Sequence, residues 1–348
     1  MIVPIIFMII CAVGFYFSGL APGFVFNEMV FRLSRNLILV MSLIVPVITG
    51  MGLNFGIVLG AMAGQVGLIF IVNYGIGGMP GILTAIIVST PVALVLGYLV
   101  ARVLNKAKGR EMITSMILGF FSNGIYQLIF ILLVGTVIPF RNKKILMTTG
   151  KGLRNVIDLI SIRKSLDNFI FGGITSYPIM TFVIIILLFM GLYFLLKTKL
   201  GQNMRAVGQS MHVASISGID VDKTRTIAIL ISTVLAAWGQ IIYLQNLGNF
   251  STYSNHEQVG LFAVASLLIG GATVEKASWK EALIGTLLFH LLFIVSPQAG
   301  QNLMGDAQIG EYFRAFIAYG VIGLALLLHA WEKAKASARL SDNVEGSS

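Results

Sequence analysis

Apolar residues form long stretches in this chain, and charged residues are confined to the segments between them. Eight stretches contain no Asp, Glu, Lys or Arg: 1–27, 36–101, 112–140, 168–196, 226–256, 258–274, 282–305 and 315–331. A helix needs roughly 20 apolar residues to cross a bilayer, with a range of about 17–25. The stretch 36–101 is therefore long enough for three helices and each other stretch for one, so the pattern predicts ten membrane-spanning helices.

Proline and glycine positions divide the longest stretch, with a turn signal at 75–81. The predicted spans lie near 1–20, 36–54, 56–74, 81–101, 113–137, 177–197, 227–246, 258–273, 282–297 and 314–331. Because the apolar runs are uninterrupted rather than alternating, they exclude a membrane β-barrel and predict an all-α, polytopic integral membrane protein. No basic residue precedes the first stretch, which favours a retained span, although Ser18-Gly19-Leu20-Ala21 leaves signal-peptide cleavage open.

The composition agrees with a membrane protein and excludes several other classes. Of the 348 residues, 57% are apolar and 11% are charged, whereas soluble proteins carry about 25% charged residues. A soluble enzyme, a nucleic-acid-binding protein and a disordered protein are therefore excluded. We expect a single transmembrane domain over 1–331 and a tail over 332–348. The single cysteine, Cys11, excludes an intrachain disulfide.

Basic residues predict the orientation. With ten spans, both termini share one side, which then carries 14 of the 24 Lys and Arg residues; seven of the remaining ten lie in 141–164. The excess predicts cytoplasmic termini and places the loop 138–176 outside. Within that loop, four apolar residues follow helical spacing and predict a short amphipathic helix on the membrane surface: Leu153, Val156, Ile157 and Ile160.

The residue patterns of common catalytic and metal sites are missing from the sequence. It contains no Gly-x-x-x-x-Gly-Lys-Ser/Thr and no Gly-x-Ser-x-Gly motif, and its four histidines are dispersed over different loops and spans. We therefore expect no catalytic residue, no metal site and no ATPase site in this chain, and interpret His290 as a packing residue rather than a ligand. The predicted spans carry acidic or basic residues only at their ends, which disfavours proton coupling. If the protein moves a solute uphill, the energy has to enter from another subunit.

Glycines recur every four residues at the start of the third predicted span: Gly52, Gly56, Gly60 and Gly64. Such a row allows a second helix backbone to approach closely, which makes helix packing the first interpretation. Asn54 and Gln65 lie in the same region, and buried amides need polar partners or water. The alternative is therefore that this segment lines a cavity.

A polar stripe at four-residue spacing marks the fifth predicted span: Ser115, Gly119, Asn123 and Gln127. It predicts either a hydrogen-bonded seam between helices or one wall of a solute path, and Gln240 offers a further polar side chain from another span. These groups are amides and hydroxyls without fixed charge. They suit a neutral polar solute such as a sugar or a nucleoside, because an anionic solute requires a cationic group or a helix N-terminus.

The polar segment 198–225 contains small residues that predict one or two short helices between two spans. Without further information it is either an ordinary connector or a docking helix. It resembles the permease subunits of bacterial ATP-binding-cassette (ABC) importers of the ribose, galactose and nucleoside type. The similar residues are Gly201, Arg205, Ala206, Val207, Gly208, Ala214, Gly218 and Ile219, together with Gly52-Leu53-Asn54-Phe55-Gly56 and the pairs Gly270-Gly271 and Gly285-Thr286.

The resemblance implies the ABC importer permease fold and a role for 198–225 as the coupling loop that docks on a cytoplasmic ATPase. A bulky residue at Gly208 is then expected to uncouple the ATPase while leaving the membrane fold intact. ATP and Mg would be bound by that ATPase. The other implied partners are an extracytoplasmic solute-binding protein and a second permease subunit, identical or different, in a bacterial cytoplasmic membrane. The competing hypotheses are an ATP-independent secondary transporter or channel and, less favoured, a membrane-embedded enzyme.

Overall fold

A computed structural model describes residues 2–171, 177–317, 319–324, 327 and 331, and helices dominate this part of the chain. The α-helices are α1 (Ile2–Ser18), α2 (Pro22–Met41), α3 (Ile44–Ile48), α4 (Ile57–Tyr74), α5 (Gly78–Lys106), α6 (Glu111–Leu128), α7 (Ser165–Phe171), α8 (Ile179–Lys197), α9 (Lys199–Gln209), α10 (Met211–Ile216), α11 (Val221–Leu247), α12 (Glu257–Ile269) and α13 (Trp279–Met304). A π-helical turn, Ile129–Leu133, continues α6, and two short strands, β1 (Val156–Asp158) and β2 (Asn249–Ser251), pair antiparallel. Residues 307–317 and 319–324 are also helical.

Seven segments of the described chain are long and apolar enough to cross a membrane: Pro22–Ile48, Ile57–Tyr74, Gly78–Lys106, Glu111–Leu133, Ile179–Lys197, Val221–Leu247 and Trp279–Met304. The prediction of an all-α polytopic membrane protein is confirmed. Helices α1 and α12 are apolar but shorter. The 13 residues of α12 rise about 20 Å, less than the roughly 30 Å of a bilayer core. The tenth predicted span, 314–331, lies partly outside the described residues.

The span predicted at 36–54 starts much earlier than expected. Helix α2 begins at Pro22 and includes charged residues that the charge-free pattern assigned to a loop. Arg32 Nε lies 3.4 Å from Glu28 Oε2, one helical turn away, and Arg35 Nε donates to Phe31 O at 3.1 Å. Because these charges find partners within their own helix, they do not interrupt it, and a prediction based on uncharged stretches misplaces its start.

The amphipathic surface helix predicted from Leu153, Val156, Ile157 and Ile160 is wrong. Residues 156–158 form β1, which pairs with β2 so that Ile157 lies opposite Phe250. Both side chains are buried at about 1% exposure, whereas Val156 and Ile160 are exposed. Pairing with a segment almost a hundred residues away overrides the local helical spacing, and β-branched residues favour the strand.

Residues Ala21–Val264 form one compact unit, in which α4, α5 and α11 pack together through glycines. A Cβ atom on Gly60 or Gly64 would lie 2.5 Å from a backbone oxygen of α11, and one on Gly67 would lie 2.5 Å from Ala85 O in α5. The three helices form a triangle in which each contacts the other two, because Gly97 of α5 faces Thr233 of α11. The packing interpretation of the glycine row is therefore correct for its helical members. Gly52 and Gly56 precede α4 instead.

The described residues of 1–20 and 265–331 form a second unit, built on α1 and α13. Cys11 Sγ donates to Leu288 O at 3.4 Å, and Asn302 Nδ2 donates to Phe17 O at 3.0 Å. The two glycine pairs noted in the sequence meet here. A Cβ on Gly285 would lie 2.8 Å from Gly270 N, so the end of α12 and the start of α13 approach at backbone distance.

The loops that the topology places on opposite sides of the membrane lie at opposite ends of α11. At its start, Asn105 Nδ2 in the last turn of α5 donates to Asp222 O at 3.0 Å. At its end, Lys164 N donates to Gln245 O at 3.1 Å, and β1 pairs with β2. Because the 27 residues of α11 span about 40 Å, the segments 198–225 and 138–164 lie at opposite ends of the bundle.

Candidate solute path and coupling segment

A buried polar cluster joins α4, α6 and the turn before α12. His256 is fully buried; its Nδ1 lies 2.8 Å from Gln65 Oε1 and its Nε2 lies 2.7 Å from Asn123 Oδ1. Tyr126 OH donates to the same Gln65 oxygen at 3.0 Å, and its ring centroid lies 4.7 Å from that of His256. Asn123 also donates to Glu257 Oε1. Gln65 and Asn123, both predicted as path residues, are thus brought together through a histidine.

His256 lies in the turn outside the membrane-spanning helices, and burial lowers the pKa of its imidazole to about 4, from an ordinary 6.5. The ring is therefore neutral near pH 7 and carries a single N–H. It can donate to only one of the two facing amides, and the other must turn its NH₂ group toward the remaining ring nitrogen. The cluster is consequently a network of neutral side chains that ends at the exposed carboxylate of Glu257.

The polar stripe of α6 faces the start of α4 and forms a seam between helices. Ser115 Oγ accepts from Phe55 N at 3.1 Å and donates to Met112 O at 2.9 Å, and a Cβ on Gly119 would lie 3.8 Å from Phe55 O. Asn123 continues the seam to His256. Gln127 lies at its partly exposed end and donates to Asn123 at 3.5 Å. The sequence pattern predicts either a seam between helices or a wall of a solute path. Ser115 and Gly119 belong to the seam, whereas Asn123 and Gln127 are the members placed to face a solute.

Several buried amides have atoms without a hydrogen-bond partner among the described residues. Both polar atoms of Gln240 and of Gln245 are in this state, although both side chains are fully buried. Gln65 and Asn54 each use their oxygen, Asn54 Oδ1 accepting from Gly56 N at 2.9 Å, but their NH₂ groups lack partners. An unsatisfied buried polar group costs about 1–3 kcal/mol. These amides are therefore placed where water or a polar solute would stabilise them.

The segment 198–225 folds into two short helices, α9 and α10, as predicted. Ser210 separates them in an extended conformation and caps α10, with Ser210 Oγ accepting from Val213 N at 3.3 Å. The residues quoted for the resemblance divide between two sides: Gly201, Val207 and Ala214 are buried, Ala206 and Ile219 are half-buried, and Arg205, Gly208 and Gly218 are exposed. Val213 and Ile216 add two exposed apolar side chains, at 61% and 74% exposure. The two helices thus present a mixed polar and apolar outer surface.

Gly208 fixes α9 against the loop after α3. A Cβ on Gly208 would collide with Ile48 O, and one on Gly50 would lie 2.9 Å from Gly208 Cα. Gly50 also has a positive φ of 76°. Since both backbones touch directly, neither position accommodates a larger residue without displacing the helix.

Arg225 was not singled out by the sequence, yet it joins α10 to three membrane helices. Its guanidinium is fully buried and lies 2.8 Å from Glu111 Oε1 at the start of α6. Arg225 also donates to Asn105 Oδ1 at 3.0 Å in α5 and to Met211 Sδ at 3.2 Å in α10. No local sequence signal pairs residues 114 positions apart. The ion pair thus connects the short helices to the base of α6.

A family model described as "Branched-chain amino acid transport system / permease component" matches residues 25–328. The chain belongs to this permease family. It is 25% identical over 336 residues to the fructose import permease protein FruG of Bifidobacterium longum, covering 88% of this chain and 91% of FruG. It is 32% identical to the nucleoside ABC transporter permease protein NupC of Lactococcus lactis, over 46% of this chain and 48% of NupC.

The ribose import permease protein RbsC of Escherichia coli is 29% identical over 39% of this chain and 40% of RbsC. No solved structure is significantly similar to the chain. The resemblance stated from the sequence is confirmed: this permease is a transmembrane component of an ABC importer and an integral membrane protein. The role of α9 and α10 as the coupling loop stays a prediction.

Proposed function

We propose that this permease forms the membrane path for a neutral polar solute of the nucleoside or monosaccharide class. The observation that carries the proposal is the set of uncharged buried groups on α4, α6 and α11. Gln65, Asn123 and His256 offer amides and an imidazole, and Gln240 offers an amide with no protein partner among the described residues. Hydroxyl groups of a sugar or ring atoms of a base could satisfy such groups, and the carboxylate of Glu257, which accepts from Asn123, would repel an anionic solute.

The energy would come from a cytoplasmic ATPase that binds ATP and Mg and docks on α9 and α10. The exposed Val213 and Ile216 suit a groove in that partner. An extracytoplasmic solute-binding protein would deliver the solute, and a second permease subunit would complete the path. This arrangement puts both termini and the tail 332–348 in the cytoplasm of a bacterium and the segment 138–176 outside its inner membrane.

A chain of side-chain contacts would transmit movement from the ATPase to the solute path. Movement of α10 would act on Met211, which contacts Arg225, and Arg225 holds Glu111 at the first residue of α6. The same helix carries Asn123 and Tyr126 three to four turns later. Tilting α6 would therefore open or close the seam that these residues form with Gln65 and His256.

The test is to reconstitute the permease with its candidate ATPase and solute-binding protein in liposomes. ATP hydrolysis and uptake are measured with a nucleoside, a monosaccharide and a carboxylate sugar acid. We expect one of the neutral solutes to stimulate both. Preference for the acid would refute the neutral path, and uptake by the permease alone under a proton gradient would favour the ATP-independent alternative.

A further inference from the structure

The segment 141–164, named here the basic cap, carries seven Lys and Arg residues and one acid, Asp158. It lies at the end of α11 opposite α9 and α10. If those helices face the cytoplasm, as the proposed function requires, the basic cap faces outside. The positive-inside rule disfavours basic residues in external loops. The charge of the basic cap therefore calls for a role on the external side.

The basic cap is folded rather than a solvated loop. Asn73 Oδ1, near the end of α4, accepts from Arg141 N at 2.8 Å and from Asn142 N at 3.2 Å. Strand β1 pairs with β2, and Tyr253 OH donates to Leu153 O at 2.7 Å. These bonds hold the backbone in one conformation, so the basic side chains project from a fixed framework.

The basic cap covers the ends of the interior helices. It contacts the end of α4 through Asn73, the start of α5 through Ser161 beside Gly77, and the end of α11 through Lys164. The spanning windows of α4 and α11 are 78% and 61% buried, against 17% for α6 and α8. The basic cap also contacts the end of α6, where Leu153 N donates to Phe130 O at 3.0 Å and Gly152 N donates to Val134 O at 2.9 Å. The cations therefore lie over the ends of the helices of this unit, both interior and peripheral.

The outer surface of the basic cap combines cations with apolar side chains. Val156 and Ile160 are 54% and 76% exposed. The exposed basic residues of the basic cap are Arg141, Lys143, Lys144, Lys151, Arg154 and Arg163. Exposed apolar side chains occur together with polar ones in protein–protein interfaces, whereas neither the solute class nor a lipid headgroup requires them.

We propose that the basic cap is the docking surface for an acidic face of the solute-binding protein. The inference rests on the proposed function, because it uses the same partner and the same orientation. Clustered charges steer the partner toward the mouth of the path and raise the association rate constant, an effect that salt screens. Val156 and Ile160 would then be buried in the docked complex.

The experiment compares the wild type with K143E/K144E/K151E and with the charge-conserving control K143R/K144R/K151R. These three side chains are exposed and lie away from the bonds that fold the basic cap. The permease–ATPase complex is held in nanodiscs of neutral phosphatidylcholine, and the probe is the solute-loaded binding protein that stimulates its ATP hydrolysis. Stopped-flow association is measured at about 50 mM and about 300 mM NaCl. Gel filtration verifies that each variant assembles.

We expect the reversed-charge variant to associate about tenfold more slowly at low salt, and its rate to depend on salt less than that of the wild type. The arginine control should match the wild type. A wild-type rate in the reversed-charge variant, or a wild-type rate insensitive to salt, overturns the docking surface. So does a variant that loses only its binding to anionic phosphatidylglycerol vesicles, because the cations then serve lipid.

The same wild-type preparation separates this inference from the proposed function. Solute-dependent ATP hydrolysis in the presence of the binding protein shows that the importer is intact, whatever the variants do. If the wild type shows no such hydrolysis, the proposed function itself has failed, and the docking surface falls with it.

Discussion

Gly208 illustrates how one residue of the proposed docking segment also serves the fold. The sequence predicted that a bulky residue here would uncouple the ATPase and leave the membrane fold intact. The second half of that expectation does not fit the structure, because Gly208 lies directly on the backbone of Ile48 and Gly50. The residues that can report docking alone are those whose side chains are exposed, such as Ile216.

We predict that Gly208→Leu lowers the stability of the permease in detergent, since overpacking at such a contact costs about 1–3 kcal/mol. Thermal unfolding measures this effect. Gly191→Leu in α8 is the matched control, because a Cβ there meets no atom within 4 Å. Equal melting temperatures for the two variants would contradict the close contact between α9 and the loop after α3.

The Glu111–Arg225 pair gives a second prediction. Glu111→Ala leaves a buried guanidinium without its charge partner, which costs about 3–5 kcal/mol. The more conservative Glu111→Gln keeps an acceptor near Arg225 and should fold, but the ratio of ATP hydrolysed to solute transported should rise. Lys108→Ala removes the exposed partner of Asp222 and should change stability by less than about 1 kcal/mol. An unchanged ratio in Glu111→Gln would exclude this pair from the coupling route.

At the scale of whole elements, α4 and α11 place amides in the bundle for two different purposes. The oxygen of Gln65 has two partners, whereas Gln240 has none among the described residues. The oxygen of Gln65 holds helices together, whereas its NH₂ group and the whole amide of Gln240 are left to meet water or solute.

Replacement of each glutamine by methionine, which has a similar size, separates these purposes. Gln65→Met should lower the melting temperature because Tyr126 and His256 lose an acceptor, at about 1 kcal/mol for each bond. Gln240→Met should leave the melting temperature unchanged or raise it, yet raise the KM for uptake in liposomes. If Gln240→Met transports as the wild type does, Gln240 is not part of the path.

The elements also show how far the sequence predicts the fold. Stretches without charge locate most of the spans because water-exposed loops cannot be built from apolar residues. They misplace α2, where Arg32 pairs with Glu28 inside the helix. They also give no warning of β1, whose partner is far along the chain. The sequence also fails to predict the cluster at His256, because no local pattern links this residue to Gln65 or Asn123.

For the whole molecule, the separation of the basic cap from α9 and α10 predicts opposite accessibility. The native thiol of Cys11 is buried, so Cys11→Ala provides a cysteine-free background. In intact cells a membrane-impermeant maleimide should label Lys144→Cys at once and Val213→Cys only after permeabilisation. The reverse pattern would invert the permease and refute both the coupling assignment and the docking surface.

The glycine contacts among α4, α5 and α11 have a consequence for movement. Gly60 and Gly64 join α4 to α11, Gly67 joins α4 to α5, and Gly97 joins α5 to α11. On two sides of this triangle the glycine meets the backbone of the neighbouring helix, and on the third Gly97 packs against the side chain of Thr233. The three helices therefore cannot slide past one another without collision. They form a rigid unit. A transport cycle that keeps these contacts has to move helices outside this unit, and α6, which is held to it largely by hydrogen bonds, is the neighbouring helix able to move.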